Sequence, residues 1–389
     1  MKSVAVIPLR KGSKGIPGKN KKKLLGRPLY QWVLGEAIES NLDEIYVFTD
    51  DEQTIERINS DYSWAVKVKA FERSAISATD SASTEFGLLE LAQSINFNFD
   101  IYCLLQATAP LTTKHDINNV LKKISNDGYD SALTVVDSKR FLWSIDGASL
   151  NYDYLNRPRR QDFEGLLIEN GAVYAIKKSL YKEINNRLGG NIGIVKMNED
   201  SMIEIDEISD WIICEQLLIK LLKKNKRYCG NIKAIVLDVD GVFTNGNVWV
   251  SEHGELAKSF SIRDGMGLEI ARESGIEIIV ITSENSAIVD QRIKKLKINH
   301  YYKGVKDKFS VLNMICKKLN IERHELAYMG DDVNDLANIL SVGWGMVPYD
   351  AVDQLKYNAD LILHSNGGDK AIREGIEMVI KLNERDKGS

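Results

Sequence analysis

Residues 234–246 read AIVLDVDGVFTNG: a strand-length apolar run, then two aspartates spaced i, i+2 and a glycine able to turn the chain away at once. After a strand, that spacing lets Asp238 and Asp240 face one site. Acidic turns after strands are common, so the pair gains weight only from its companions. Thr282 ends the apolar run IEIIVIT, Lys308 opens a helical segment, and Gly330-Asp331-Asp332 follows the apolar run Leu326–Met329. Runs at Ala234–Leu237, Glu277–Ile281, Leu326–Met329 and Asp360–Leu363, separated by helical patterns around Leu268, Val289 and Leu312, predict an α/β unit. Polar groups at the ends of its successive parallel strands converge on one edge of the sheet, where a phosphate-binding metal site can be built.

A second alternating series lies upstream. Val4–Ile7, Ile45–Phe48, Ile101–Leu105 and Ala132–Val136 read as buried strands, with helix-period segments such as Tyr30–Ser40 between them. At 389 residues the chain exceeds what one hydrophobic core usually supports. The charged stretch KKNKRYCGN, residues 223–231, ends a helix that begins near Asp210, which sets the expected domains at 1–226 and 232–389. Hydrophobic content of 44% with 27% charged residues is ordinary for globular proteins and excludes collagen-like, disordered and membrane classes. No apolar run approaches a membrane span and the N-terminus has no signal-peptide pattern, so the expectation is a cytoplasmic protein. Cys103, Cys214, Cys229 and Cys316 are scattered without a CxxC pair, against a zinc site or disulfide framework. A net charge of -4 gives no reason to expect a nucleic-acid partner.

The first strand empties into PLRKGSKGIPGKNKKKLLG, a glycine- and lysine-rich loop beyond a strand's carboxyl end. Glycines let backbone amides approach phosphate oxygens, and Arg10, Lys14 and Lys19 can neutralise their charge, as a triphosphate requires. A solvated basic surface loop is the alternative, and the better reading for Lys21, Lys22 and Lys23. The loop is not a Walker A motif, because Ser13 stands where Gly is needed and Asn20 follows Gly18-Lys19. Glu204 and Asp206 form another i, i+2 pair; on a strand they would share a face and hold a hard cation, or simply decorate an exposed strand.

IPLRKGSKGIPGKN followed by GRPL, LLQATAP (104–110), RPRRQDF (157–163), ENGAVY (169–174) and EIDEISDW (204–211) resemble the N-acylneuraminate cytidylyltransferases, which make CMP-sialic acids from CTP. The resemblance implies a nucleotidyltransferase-like mixed sheet with flanking helices. It implies that Arg10, Ser13, Lys14 and Lys19 hold CTP phosphates, that Asn20, Arg73, Asp80 and Ser81 recognise cytidine, and that Gln106, Arg160 and Gln161 line a nonulosonic acid pocket. An arginine suits the sugar carboxylate because its planar fork binds both oxygens. Asp206, assisted by Glu204, would hold Mg²⁺. The family usually has Asp at the position of Glu204, which makes Asp206 the principal ligand.

LDVDGVFTNG, SIRDGMGLEIA, VITSEN, GVKDK, YMGDDVND and NGGDKAIREG, spanning residues 233 to about 380, resemble the haloacid dehalogenase superfamily. They match its compact branch that includes Kdo-8-phosphate phosphatase. This implies a Rossmannoid domain without a large cap, closed by neighbours in a homotetramer. Asp238 would be the nucleophile and Asp240 the acid/base, Thr282 and Lys308 would bind the transferring phosphoryl group, and Mg²⁺ would sit on Asp238, Asp331 and the Asp240 carbonyl. Asp332 would support the site, Asp335 would support it or cap a helix, and Arg263 and Asp264 would face substrate. Relatives often carry GGRG where this chain has Gly367-Gly368-Asp369-Lys370, which leaves Lys370 as the candidate basic contact. The expected function is bifunctional: hydrolysis of a nonulosonate 9-phosphate and transfer of CMP from CTP to the free sugar. The alternative keeps the synthetase and makes the second domain a tetramerisation module without turnover.

Overall fold

The computed structural model describes residues 1–389 except 13–14, 80, 225, 227–230 and 388–389, and the side chains of residues 386–387. The described chain divides into two compact units, residues 1–22 with 28–217, and residues 23–27 with 218–389. Among the described residues no helix is long and apolar enough to cross a membrane.

The first unit is built on a seven-stranded sheet. Its strands are β1 (Ser3–Leu9), β2 (Glu44–Thr49), β3 (Val68–Glu72), β4 (Ile101–Leu105), β5 (Ser131–Ser138), β6 (Leu166–Lys177) and β7 (Ile192–Lys196), in the spatial order β3-β2-β1-β4-β6-β5-β7. Strands β3, β2, β1 and β4 run parallel, whereas β6 is antiparallel to both β4 and β5, so the sheet is mixed. Both faces of β1 are buried, and its alternation separates two cores. Ala5, Ile7 and Leu9 pack with Val33, Leu34 and Ala37 of α1 (Leu29–Glu39). Val4 and Val6 pack with Leu88, Leu91 and Ala92 of α3 (Thr84–Ser94), the last of three helices that lead from β1 to β4, after α1 and α2 (Glu52–Asp61). Strand β5 leaves the sheet after Ser138 and the chain returns at Leu166, its direct register partner. At the return, Gly165 has φ +77° and lies where a Cβ would stand 2.3 Å from the Ser138 carbonyl, so a residue larger than glycine has no room. The excursion between them carries a half-buried aromatic cluster in which the Phe141 ring centroid lies 4.2 Å from that of Tyr152 and 4.9 Å from that of Phe163.

The second unit holds a six-stranded, all-parallel sheet. Its strands are β8 (Ala234–Leu237), β11 (Glu277–Ile281), β12 (His300–Tyr302), β13 (Leu326–Met329), β14 (Trp344–Val347) and β15 (Leu361–Ile362), ordered β12-β11-β8-β13-β14-β15. A separate antiparallel hairpin, β9 (Trp249–Ser251) and β10 (Gly254–Ala257), lies in the connection from β8 to α7 (Ile262–Glu273). Ile235 and Leu237 of β8 pack against Leu268 and Ala271 of α7, Val289 and Ile293 of α8 (Ala287–Lys295), and Ile372 and Ile376 of α12 (Ala371–Lys387). The chain order changes direction across β8: β11 lies on one side and β13 on the other. That is the switch point where open α/β sheets bind ligands. The four strands expected here from sequence correspond to β8, β11, β13 and β15.

Candidate active sites

In the first unit, β1 ends at Leu9 and the loop that follows docks backbone to backbone on the segment before α6 (Ile208–Lys224): a Cβ on Gly15 would stand 2.2 Å from the Asp206 carbonyl oxygen. Only a glycine permits that approach. Lys19 then donates to the Ile205 carbonyl at 2.7 Å and pairs with Asp206 Oδ1 at 3.0 Å. Gly18 at φ +64° turns the chain so that Asn20 Nδ2 donates to the Arg10 carbonyl at 3.2 Å, and Arg10 Nη1 donates to the Thr79 carbonyl at 3.4 Å. A pocket opens between Arg10, Lys11, Asn20, Lys21, Asp51 and Thr54.

Of those pocket residues only Arg10 and Asn20 were singled out by sequence. Lys21, expected to be solvated, pairs with Asp51 at 2.8 Å. Burial pushes the Asp51 carboxyl up, but hydrogen bonds from Lys21 and Thr54 outweigh it and hold it below the ordinary carboxylate range. The signal was the strand-end pair Asp50-Asp51 after FT, which nothing in the local pattern connects to a lysine thirty residues upstream.

Glu204 and Asp206 do not lie on a strand, which corrects the expectation. Residues 203–206 are irregular, held by Ile205 N donating to the Thr108 carbonyl at 2.9 Å, while the Asp206 and Glu207 amides both donate to Asp210. A carboxylate at the start of α6 competes for these amides and stops a sheet ladder from forming. Glu204 nevertheless stays beside Asp206: burial raises its carboxyl above the ordinary value, and Asp206 raises it further. Its space comes from Gly171 (φ +67°), where a Cβ would stand 1.8 Å from Glu204 Oε1. Gln106 sits just past β4 with its amide donating to the Ala172 carbonyl at 3.1 Å. Arg73 is buried, its guanidinium over the Phe48 ring at 5.5 Å and hydrogen-bonded to Ser77. Ser81, Arg160 and Gln161 are exposed, the last two on the excursion between β5 and β6. Ser13, Lys14 and Asp80 lie outside the described residues.

In the second unit Asp238, Lys308, Asp331 and Asp335 come together. Asp238 follows β8 directly, its amide donating to the Met329 carbonyl at 3.0 Å. Lys308 is the first residue of α9 (Lys308–Leu319), whose N-cap Asp307 accepts from the Ser310 amide, so the helix start fixes where Lys308 emerges. Its ammonium is buried and bridges Asp238 Oδ2 at 2.7 Å and Asp335 Oδ1 at 2.9 Å. Burial alone would lower the Lys308 pKa, but the two carboxylates outweigh it and raise it. Burial pushes Asp238 well up in spite of Lys308, with Asp335 and Asp331 adding to the rise. Thr282, buried just past β11, accepts from the Glu284 amide at 3.2 Å.

Carboxylate oxygens of Asp238, Asp331 and Asp335 lie within 4.8 Å of one another. Burial, then repulsion from Asp335, pushes Asp331 up to about 7. Gly241 (φ +77°) makes room for Asp331, because a Cβ there would stand 1.9 Å from its Oδ2. Asp335 supports the site instead of capping α10 (Leu336–Ser341): its carboxylate makes no cap hydrogen bond and accepts from Tyr328 at 2.7 Å. Asp332 is exposed and accepts from the Val333 amide. Asp240 pairs through Oδ1 with Lys258 at 2.7 Å. Lys258 and Tyr328 were missed from sequence because single polar residues at a hairpin end or inside a strand carry no motif.

Asp264 is a second correction. It does not present its carboxylate to an open site: it is 2% exposed, with Oδ1 accepting from the Arg373 amide at 2.9 Å and Oδ2 from the Lys370 amide at 3.2 Å. It ties the start of α7 to the GGDK turn and α12. Arg263 beside it is exposed. The GGDK turn lies on the loop that follows Asp238: Gly368 N donates to the Val242 carbonyl at 2.9 Å, and a Cβ on Gly367 would stand 1.8 Å from the Gly241 carbonyl oxygen. Lys370 has φ +76° and its ammonium stands 3.7 Å from Asp369.

Known proteins match both units. A family model described as cytidylyltransferase matches residues 4–233, and one described as haloacid dehalogenase-like hydrolase matches residues 285–376. The N-acylneuraminate cytidylyltransferase of Oncorhynchus mykiss is 31% identical over 98% of this chain and 89% of its own length. The 3-deoxy-D-manno-octulosonate 8-phosphate phosphatase KdsC of Salmonella typhi is 35% identical over 39% of this chain and 80% of its own. A solved structure of the phosphatase from Moraxella catarrhalis, titled as a complex with magnesium, phosphate and KDO, is 33% identical, covers 44% of this chain and 94% of that one, and has a TM-score of 0.39.

Proposed function

Because the chain belongs to the N-acylneuraminate cytidylyltransferase family and carries a haloacid dehalogenase-like hydrolase domain, we propose that it is bifunctional. On this reading the first unit transfers CMP from CTP to a nonulosonic acid with release of pyrophosphate, and the second hydrolyses the corresponding 9-phosphate. The observation that carries the second activity is the buried Lys308 bridge between Asp238 and Asp335, since a buried triad of charges costs desolvation that a well-packed apolar triad would avoid.

In the first unit Arg10, Ser13, Lys14 and Lys19 receive the triphosphate, Lys21 adds charge at the same pocket, and Asn20, Arg73, Asp80 and Ser81 select cytidine. Gln106, Arg160 and Gln161 hold the sugar acid, whose anomeric hydroxyl attacks the α-phosphorus in line while pyrophosphate leaves. In the second unit the Asp238 carboxylate attacks phosphorus, and the P–O bond to the sugar breaks as Asp240 gives that oxygen a proton. Asp240 then takes a proton from the water that releases phosphate and restores Asp238. Lys308 and Thr282 hold the phosphoryl oxygens where charge builds, with Arg263 toward substrate.

The donor sets fit Mg²⁺. Asp238, Asp331 and Asp335 crowd three hard oxygens together, the donor type a small hard cation takes. Asp238 and Asp331, with the Asp240 carbonyl, would hold the ion, and Asp206 with Glu204 would hold another in the first unit. Bound there, the ions supply positive charge against anionic phosphates. Trp249, Val250, Leu256, Ile262 and Met266 are exposed on and beside the hairpin, which supports homotetramer formation through the second unit.

Purified chain with Mg²⁺ should release pyrophosphate from CTP plus N-acetylneuraminate and phosphate from a nonulosonate 9-phosphate. Silence across a panel of nonulosonic acids and Kdo sinks the first claim. Absence of phosphate release from every sugar phosphate tried reduces the second unit to an assembly module.

A further inference from the structure

We propose that Lys258 is a positioning residue for Asp240, fixing one carboxylate oxygen so that the other carries the proton. Lys258 follows β10, and its side chain is 4% exposed although the hairpin around it is open to solvent. Its ammonium donates to Asp240 Oδ1 at 2.7 Å and lies 3.3 Å from Glu255 Oε1, three residues back. Glu255 in turn accepts from the Ser286 hydroxyl, which also caps α8. The hairpin, the cap of α8 and Asp240 are thus joined through the Lys258–Glu255 pair. Asp240 Oδ2 accepts no hydrogen bond from another described residue, so the anchored oxygen and the free oxygen are distinct. A carboxylate held at one oxygen by a fixed ammonium keeps a single rotamer and aims its second oxygen in one direction. Acid catalysis needs that, because the proton must meet the leaving oxygen as its P–O bond breaks and be taken back from water afterwards.

The inference rests on reading Asp240 as the acid/base, and leaving-group dependence separates the two claims. An alkyl phosphate, such as a sugar phosphate, needs a proton on its departing oxygen; a nitrophenyl phosphate does not. In single-turnover release of the leaving group by the full chain with Mg²⁺, Lys258→Met should lose about 100-fold on the alkyl ester and under about 10-fold on the nitrophenyl ester, with Lys258→Arg recovering part of the alkyl rate. Equal loss on both esters, or none, overturns the role of Lys258. If Lys258→Met fails to fold, Lys258→Arg must show the same asymmetry in milder form, and equal loss there overturns the proposal. Asp240→Asn measured alongside should be asymmetric in the same sense. If it is symmetric the acid/base reading itself fails, and if it alone is asymmetric only the Lys258 assignment fails.

Discussion

Gly367→Ala tests whether the GGDK turn is a working part of the second site. The substitution adds one methyl at a position whose φ lies outside the left-handed region, so backbone strain is not at issue. The clash is direct: the new Cβ would stand 1.8 Å from the Gly241 carbonyl oxygen, and real Cβ contacts essentially never fall under 3.0 Å. The turn and the Asp238–Gly241 loop must therefore separate by roughly 1.2 Å, because close-packed backbone has no slack to absorb it. Overpacking of this size costs about 1–3 kcal/mol. Displacing a reacting group by about 1 Å costs on the order of 100-fold in rate. Phosphate release should fall about 100-fold with a lower thermal midpoint, while pyrophosphate release from CTP and sugar acid serves as the internal control. Unchanged phosphate release with an unchanged melting curve would show that the turn does not set the nucleophile loop. Lys370→Ala, which leaves the backbone contact intact, distinguishes steric docking from a charge contact: a loss confined to the Michaelis constant assigns Lys370 to substrate.

Asp238→Asn should abolish phosphate release while sparing cytidylyl transfer, since an amide cannot form the acyl phosphate; measurable turnover by that variant refutes the nucleophile. Asp206→Ala should do the reverse, and Lys19→Met should cost about 10²–10³-fold in pyrophosphate release, the range for removing one fixed donor from a developing charge. The Asp331 carboxyl, pushed up to about 7 by burial and Asp335, binds a proton in the folded state that the unfolded state releases near its ordinary 3.8. In metal-free protein its contribution is therefore fully present below the unfolded value and is lost as pH rises toward about 7. Calorimetry of chelated protein should show the midpoint falling across that window, with Mg²⁺ restoring it more at pH 8 than at pH 5; a pH-independent Mg²⁺ effect contradicts the assignment.

Much of the second site was legible because its groups sit at strand ends. AIVLDVDG, VITSEN and YMGDDVND each couple an apolar run to polar residues, and a parallel sheet brings such ends together by topology alone. The partners that tune those groups were not legible. Tyr328 is an ordinary strand residue until β13 carries it to Asp335, and Lys258 is one of 51 basic residues until the hairpin brings it to Asp240. Asp264 misled in the other direction: RDG looked like a substrate motif, but an acid near a helix start also suits backbone amides, and those of Lys370 and Arg373 claim it. Glu204 and Asp206 alternate as strand residues would, yet Asp210 captures the amides that a ladder would need.

The register pair Ser138–Leu166 has an evolutionary consequence. The chain leaves the sheet and returns at the same rung, so the intervening residues form a loop whose ends are already closed by β5 and β6. Lengthening such a loop costs little, about 0.6 kcal/mol for each doubling. Arg160 and Gln161, the residues proposed to hold the sugar acid, ride on it, so descendants of this protein can change that segment by insertion, deletion or drift without renegotiating the sheet beneath it.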